Sequence, residues 1–395
     1  MRCLWLTRTD PFPGDTGELI YSGRMIESFA RGGADITVLC LARPEAPNAE
    51  ERGGPEVRWK RVNGAPRPLW QSLFSALPNL ACRCAVPSLR QGLSEMLAAR
   101  PWDLVVLDSL SVCWALPAVL SSTASGGRRP RLVYVSHNHE ETTRARVATS
   151  YRGNPLKRIA LLTDARKAGL LERHVVRAAD LVTAITPADR TLYAAVRDGR
   201  PTITLRPGYD GRRVETRHIT ADTPRRVVMV GSYEWIAKQV NLRDFARAAA
   251  GDFDRSGAEL MVVGNGGAFL DELRREFPSV TFTGRVDDVY PYMDNARMAV
   301  VPEMLGGGFK LKTLDYVFNR LPIAALDRAC EGAPLTDRDS LLSFPDFGRL
   351  VDGILETIDD LPKLNHLQER AYAACAGRFD WSTRGRTLFD AVETL

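Results

Sequence analysis

The residues best suited to hold an anion lie between Val300 and Leu326. Three consecutive glycines, Gly306, Gly307 and Gly308, precede Phe309, Lys310 and Lys312. Glycines at the mouth of a helix let a ligand approach the backbone, and the free N–H groups there favour negative charge. The N-terminal dipole repels lysines, which ordinarily sit at helix C-termini. Two of them in a first turn point either to a bound anion that offsets the repulsion or to a solvated surface turn. Asp315, one helical turn further on, is placed to reach a sugar hydroxyl. A second candidate is the run His137-Asn138-His139-Glu140 after the apolar stretch Arg131–Ser136. A polar cluster at the carboxyl end of a parallel strand is where open α/β sheets bind ligands. A lone histidine is more often a satisfied structural residue, and His139 reads as a neighbour of His137. Neither histidine has a cysteine or carboxylate at a recognised zinc spacing.

Both clusters need strands and helices to place them. Met298–Pro302 and Leu321–Leu326 are short apolar runs with a helical pattern, Phe309–Asn319, between them, which makes a βαβ unit. The same alternation runs along the chain. Strand-like runs are expected at Cys3–Thr7, Asp35–Leu41, Leu104–Leu107 and Leu181–Ile185, then at Arg226–Val230 and Glu259–Val263. Helices are expected at Leu19–Arg31, at Ser109–Leu120 with Pro117 as an early stop and in the tail Leu364–Leu395, while Tyr151–Ala179 is long and basic. Glu45–Pro66 is polar and turn-rich, and Gly211–Pro224 reads as a linker. In Pro68–Ala99 an apolar stripe of Trp70, Leu73, Phe74 and Leu77 is flanked by Arg67, Arg83 and Arg90. Such a segment is either a helix packed on its domain or a basic amphipathic surface for a membrane.

Composition sets further bounds. A chain of 395 residues implies two or three domains. It has no apolar run long enough to span a bilayer, and Met1–Thr7 reads as a strand rather than a signal peptide. Seven cysteines without a CxxC pair fit a reducing cytoplasm, and a net charge of +5 suits anionic ligands or an acidic membrane surface. GxGxxG is absent after the first strand, which argues against a dinucleotide cofactor. Asp252-Phe253-Asp254 and Asp337-Arg338-Asp339 have a metal-binding spelling but follow no obvious apolar strand.

GGGFKLKTLDYVF resembles the donor-site signature of GT-B retaining glycosyltransferases, closest to the large family 4-like branch, in its glycine-loop variant. The resemblance extends over nearly the whole chain. RPGYD at Arg206–Asp210 is similar to the motif that marks the exit from that family's first domain, and HNxE at His137 is recurrent there. The fold it implies is α/β: two Rossmann-like domains facing each other across a cleft, with the C-terminal helix crossing back to the first. The boundaries would be 1–210 for an acceptor domain, 211–375 for a nucleotide-sugar donor domain and 376–395 for the crossing helix. The resemblance implies catalytic roles for His137, Lys310 and Lys312. Gly17, Gly306, Gly307, Gly308, Phe309 and Lys238 would meet the donor diphosphate, although Lys238 is offset from the family lysine. Asp315, Gly264, Val286 and Gly231 would hold the nucleoside. Ser232 stands where the family often has arginine, and Asp315 where it usually has glutamate.

The implied activity is metal-independent hexosyl transfer, with retention, from a nucleotide diphosphate sugar to a glycan, lipid-linked saccharide or small natural product. No cofactor beyond that donor substrate and no nucleic-acid partner is implied. A sugar-nucleotide 2-epimerase of the same fold and an inactive binding subunit are the alternatives. The expected location is the cytoplasm, with the basic 67–99 segment offering contact to the inner face of the membrane.

Overall fold

The computed structural model describes residues 1–44, 46, 57–123 and 127–395. They form two compact units: Met1–Gly208 together with Asp380–Leu395, and Tyr209–Phe379.

The first unit runs β1 (Arg2–Thr9), α1 (Gly17–Arg31), β2 (Asp35–Leu41), β3 (Arg58–Val62), α2 (Asn79–Cys84), α3 (Pro87–Ala99), β4 (Leu104–Asp108), α4 (Leu116–Ser121), β5 (Arg131–Val135), α5 (Glu140–Ser150), α6 (Pro155–Ala178), β6 (Leu181–Ala184), α7 (Pro187–Ala194) and β7 (Thr202–Thr204). Its seven strands pair in the order β3-β2-β1-β4-β5-β6-β7, all parallel. Helices cover both faces, so the central strands are buried throughout and read as unbroken apolar runs, LVVLD in β4 for example. The order in which strands are added reverses between β1 and β4, which makes their carboxyl ends the switch point of the sheet.

The second unit repeats the plan. It runs β8 (Arg226–Val230), α8 (Ile236–Ser256), β9 (Glu259–Val263), α9 (Ala268–Glu276), β10 (Thr281–Gly284), α10 (Tyr290–Asp294), β11 (Met298–Val301), α11 (Leu311–Phe318), β12 (Ile323–Leu326), β13 (Leu342–Phe344), α12 (Phe347–Thr357) and α13 (Leu361–Cys375). The strand order is β10-β9-β8-β11-β12-β13, again parallel, with the switch between β8 and β11.

The last helix, α14 (Trp381–Glu393), packs on α1 of the first unit. Small residues permit the close approach: a Cβ on Gly385 would lie 2.0 Å from the Ser28 carbonyl oxygen, and the Gly385 N–H donates to Ser28 Oγ at 2.8 Å. The Trp381 ring fills the space beside Gly208, where a Cβ would meet it at 2.5 Å. That contact explains the glycine of RPGYD.

Four local expectations change. In the polar stretch at 45–66, residues 45 and 47–56 lie outside the described residues, whereas Arg58–Val62 forms edge strand β3. Pro117 starts a helix rather than stopping one. Leu110–Ala115 is a 3-10 turn and Pro117 occupies the first turn of α4, where its missing N–H costs nothing. The stretch 211–224 is not a free linker. Ile219 is buried, Arg217 donates to the carbonyls of Asp294 and Ala296, and Arg212 pairs with Asp294, all within the second unit. Finally, the 67–99 segment is three pieces rather than one helix: a 3-10 turn, Leu69–Phe74, then α2 and α3. Leu89 and Leu93 bury the inner face of α3, and the Arg90 guanidinium lies over the Trp114 ring at 4.9 Å.

Candidate active site

In the second unit, β11 ends at Val301 and delivers Glu303, a carboxylate with only 5% of its side chain exposed. Lys312, in the first turn of α11, forms an ion pair with Glu303 Oε1, and Lys310 Nζ lies 3.5 Å from Oε2. Lys310 also donates to the Gly307 carbonyl at 2.5 Å. It stands at the N-cap of α11 in extended backbone, one residue before the helix rather than inside its first turn. Burial alone would raise the Glu303 carboxyl; the charges of Lys312, Lys310 and Lys238 overcome it and hold the group down at about 2. Lys238, in the first turn of α8, is therefore part of this cluster despite its offset along the sequence. Burial, followed by repulsion from Lys312, lowers its own pKa, and Glu303 and, more weakly, Glu234 act the other way. Two ammonium groups thus share one buried carboxylate, and the charge of a third, Lys238, bears on it.

The glycine loop beside them is held by its backbone. Asn241, buried on α8, donates to the Leu305 carbonyl at 2.7 Å and accepts from the Leu305 N–H at 2.9 Å. Gly306 and Gly308 adopt φ of 124° and 65°, the region that favours glycine. The exposed Trp235 ring comes within 3.7 Å of where a Cβ on Gly306 would sit. Phe309 turns into the unit and packs on Phe379 at 5.8 Å between ring centroids.

Gly231 and Gly264 meet at the neighbouring strand ends. A Cβ on Gly264 would fall 1.7 Å from the Gly231 carbonyl oxygen, and the Gly264 N–H donates to Gly284. Close backbone packing of β8, β9 and β10 explains the Gly264 glycine. Val286, just past β10, packs its side chain on the core of the unit. Asp315 projects from α11, where burial raises its carboxyl to about 6 against a hydrogen bond from the Tyr209 hydroxyl, and the charge of Asp210 pushes the same way as burial.

In the first unit, His137 follows β5 directly, and its Nε2 lies 2.6 Å from Asp108 Oδ1 at the end of β4. The buried Asp108 also accepts from the Trp5 indole at 3.0 Å. The Tyr21 ring meets the imidazole edge-on at 5.2 Å, and the Tyr21 hydroxyl donates to the Leu205 carbonyl. Burial lowers the basicity of His137, but Asp108, with smaller contributions from Glu18 and Glu140, outweighs it and leaves the pKa raised. Gly17 opens α1 immediately before that Glu18. His139 has a different task. It caps α5, its Nδ1 accepting from the Thr142 N–H at 3.3 Å. The buried Glu172 completes the cap by accepting from the N–H groups of Glu140 and Glu141 and from the Tyr193 hydroxyl.

The structure therefore gathers Lys238, Lys310, Lys312 and the glycine loop around one group, and holds His137 against Asp108. Glu303, Asn241 and Asp108 are the site residues that sequence reasoning passed over. Each had a signal: Glu303 and Asp108 sit at strand ends, and Asn241 is a polar residue on the inward face of α8. The Asp-x-Asp pairs are engaged in local contacts, Asp252 with Arg255 and Asp339 with Arg370.

Two family models match. The Glycosyl transferase 4-like domain covers residues 16–208, and Glycosyl transferases group 1 covers 224–360. No curated protein matches the sequence significantly. Among solved structures, sucrose-phosphate synthase from Thermosynechococcus elongatus aligns with a TM-score of 0.73 at 16% identity, over 100% of this chain and 98% of its own. HepE of Anabaena, solved in complex with UDP-glucose, aligns at 0.63 and 15% over 100% of both chains. WaaG, a glycosyltransferase involved in lipopolysaccharide biosynthesis, aligns at 0.64 and 15% over 99% of both.

Proposed function

Because the chain belongs to the group 1, family 4-like glycosyltransferases of the GT-B fold, we propose that it transfers a hexosyl group from a nucleotide diphosphate sugar to an acceptor, with retention of anomeric configuration. The second unit grips the donor and the first carries the acceptor. The observation that carries this reading is the surplus of positive charge around Glu303: two lysines pair with one buried carboxylate beside a glycine loop, and the charge of a third reaches it. A buried carboxylate alone would neutralise one lysine. The remainder suits a ligand with about two negative charges, which a nucleoside diphosphate has. The HepE complexes hold UDP and UDP-glucose, which supports a uridine donor as the first to test.

As the bond from the anomeric carbon to the donor phosphate breaks, negative charge grows on the leaving diphosphate. Lys310, Lys312 and the N–H groups of the glycine loop, preset by Glu303 and Asn241, stabilise it without reorganising. This is how the site would work without a metal. In a retaining reaction of this kind the acceptor hydroxyl attacks on the face the diphosphate leaves, and the leaving phosphate takes its proton. No separate carboxylate base is then required. Asp108 fixes His137 by its Nε2, so Nδ1 remains to hydrogen-bond donor or acceptor. Gly17, at the start of α1, would offer its backbone N–H to the donor phosphates, as the resemblance implies. Asp315 would hold a ribose hydroxyl, with Gly231, Gly264 and the backbone at Val286 around the base.

Nucleoside diphosphate release from a panel of donors, with and without candidate acceptors, tests the reading. Release that depends on an acceptor supports a transferase. Release from the donor alone, with a C2-inverted sugar found, would mean an epimerase. Binding without release in any combination would mean a binding subunit.

A further inference from the structure

Twelve large apolar side chains are exposed among the described residues, and eight of them fall on two elements of the first unit. Leu69, Trp70, Leu73 and Phe74 stand on the 3-10 turn, with Trp70 60% and Phe74 85% exposed. Leu156, Ile159 and Leu162 are exposed on the first turns of α6, whereas Ala165, Ala168 and Gly169 further along it are buried. Lys167 ties the two elements together, donating from Nζ to the Ser72 carbonyl at 2.8 Å, and Asp164 accepts from the Asn79 N–H just beyond the turn. The two apolar groups therefore flank one junction.

The charge around that junction has one sign. α6 carries six lysines and arginines against two acids. Of the acids, Glu172 is buried under α5 and Asp164 is occupied by Arg144. Lys157, Arg158 and Arg166 are exposed, as is Arg152 just before the helix.

We propose that this surface docks on an anionic lipid bilayer. Leu, Trp and Phe side chains would enter the headgroup boundary, while lysines and arginines keep their charged ends at the phosphates. A symmetric dimer through the same patch would bring basic rim against basic rim, which opposes a second copy as the occupant. The surface is separate from the residues assigned to donor and acceptor, so the inference does not depend on the transferase reading.

Flotation with vesicles of phosphatidylcholine alone, and of phosphatidylcholine mixed equally with phosphatidylglycerol, tests it. The protein should float with the anionic vesicles only and be released by raised salt, since screening weakens the charge attraction. Trp70→Ser/Phe74→Ser should reduce partitioning on the order of tenfold or more, because two buried aromatic side chains supply much of the apolar area. Lys157→Glu/Arg158→Glu should remove the preference for anionic lipid with melting unchanged, so a misfolded aromatic variant would not leave the question open. Failure of the parent protein to float, or equal flotation of the charge-reversed variant, would overturn the proposal. So would a dimer in sedimentation that the aromatic substitutions dissociate, since the patch would then belong to a second copy.

Discussion

Asp108 and Glu303 occupy equivalent places in the two units. Each stands at the carboxyl end of the strand that pairs with the first strand of its sheet on the far side of the switch point, Asp108 as the last residue of β4 beside β1 and Glu303 two residues past β11 beside β8. Both are buried acids, and they differ in their partners. Asp108 meets one imidazole, from just past the end of β5, and one indole, from the middle of β1. Glu303 meets lysines brought by the helix that follows its own strand and by α8. The first arrangement balances one charge and orients an imidazole whose pKa it raises. The second holds more positive charge than it neutralises. The same topological position thus holds an oriented imidazole in one unit and a cluster of lysines in the other, and what decides is the partner side chain rather than the fold.

The comparison breaks most sharply at Lys312. Lys312→Ala leaves the Glu303 carboxylate buried with its nearest counter-charge gone, and removing one partner of a buried pair costs about 3–5 kcal/mol. Urea unfolding should show that loss, and calorimetry should show nucleoside diphosphate binding weaker by about ten- to a hundredfold, the scale of a charge-assisted hydrogen bond. The alanine variant alone confuses stability with binding. Lys312→Ala/Glu303→Gln removes both charges, so stability should largely return while affinity stays low. If affinity returns as well, Lys312 is a structural partner of Glu303 and has no part in holding the diphosphate.

On the Asp108 side the expected loss is in turnover. Asp108→Asn keeps an acceptor for the Trp5 indole but removes the charge that raises His137 above its ordinary value. Turnover should fall about a hundredfold, the lower range for a misplaced proton-handling group. Its alkaline limb should also move to lower pH, with donor affinity nearly unchanged. His137→Ala should match it in turnover and lose the limb altogether. A pH profile that superimposes on the parent would remove His137 from the reaction.

The alternation of strands and helices was legible because strands buried on both faces are continuous apolar runs, as in MAVV and IAAL. RWKRV in β3 was not, because an edge strand there carries charged residues and few apolar ones. The glycine–lysine loop was legible by its spacing. Glu303 was not given a role, although it lies in the same stretch, because burial decides whether a carboxylate is a rim charge or the counter-ion of a cluster. Lys238 became part of the site only through the packing of α8, which sequence distance does not report. Pro117 misled for a similar reason: a proline that would end a helix in its interior begins one in its first turn.

The smallest expected effect is one of pH, and its sign separates Glu303 from Asp315. Glu303 is depressed to about 2 in the folded protein, so its contribution is present above its ordinary value of 4.5 and fades as the pH falls through about 2. Asp315 is raised from 3.8 to about 6, so the folded state holds a proton that the unfolded state has released. Its contribution is complete below pH 3.8 and disappears as the pH rises through about 6. An ionised Asp315 at neutral pH is thus held against its burial. Asp315→Asn should flatten the decline of stability with pH between these values and raise stability at pH 8 by about 1–3 kcal/mol. The same substitution should weaken donor binding if the carboxylate accepts from a ribose hydroxyl, with little change in turnover at saturating donor, since that contact alters little during the reaction. Greater stability with weaker binding marks a carboxylate retained for its ligand. Lower stability at every pH would instead make Asp315 a structural acceptor for Tyr209.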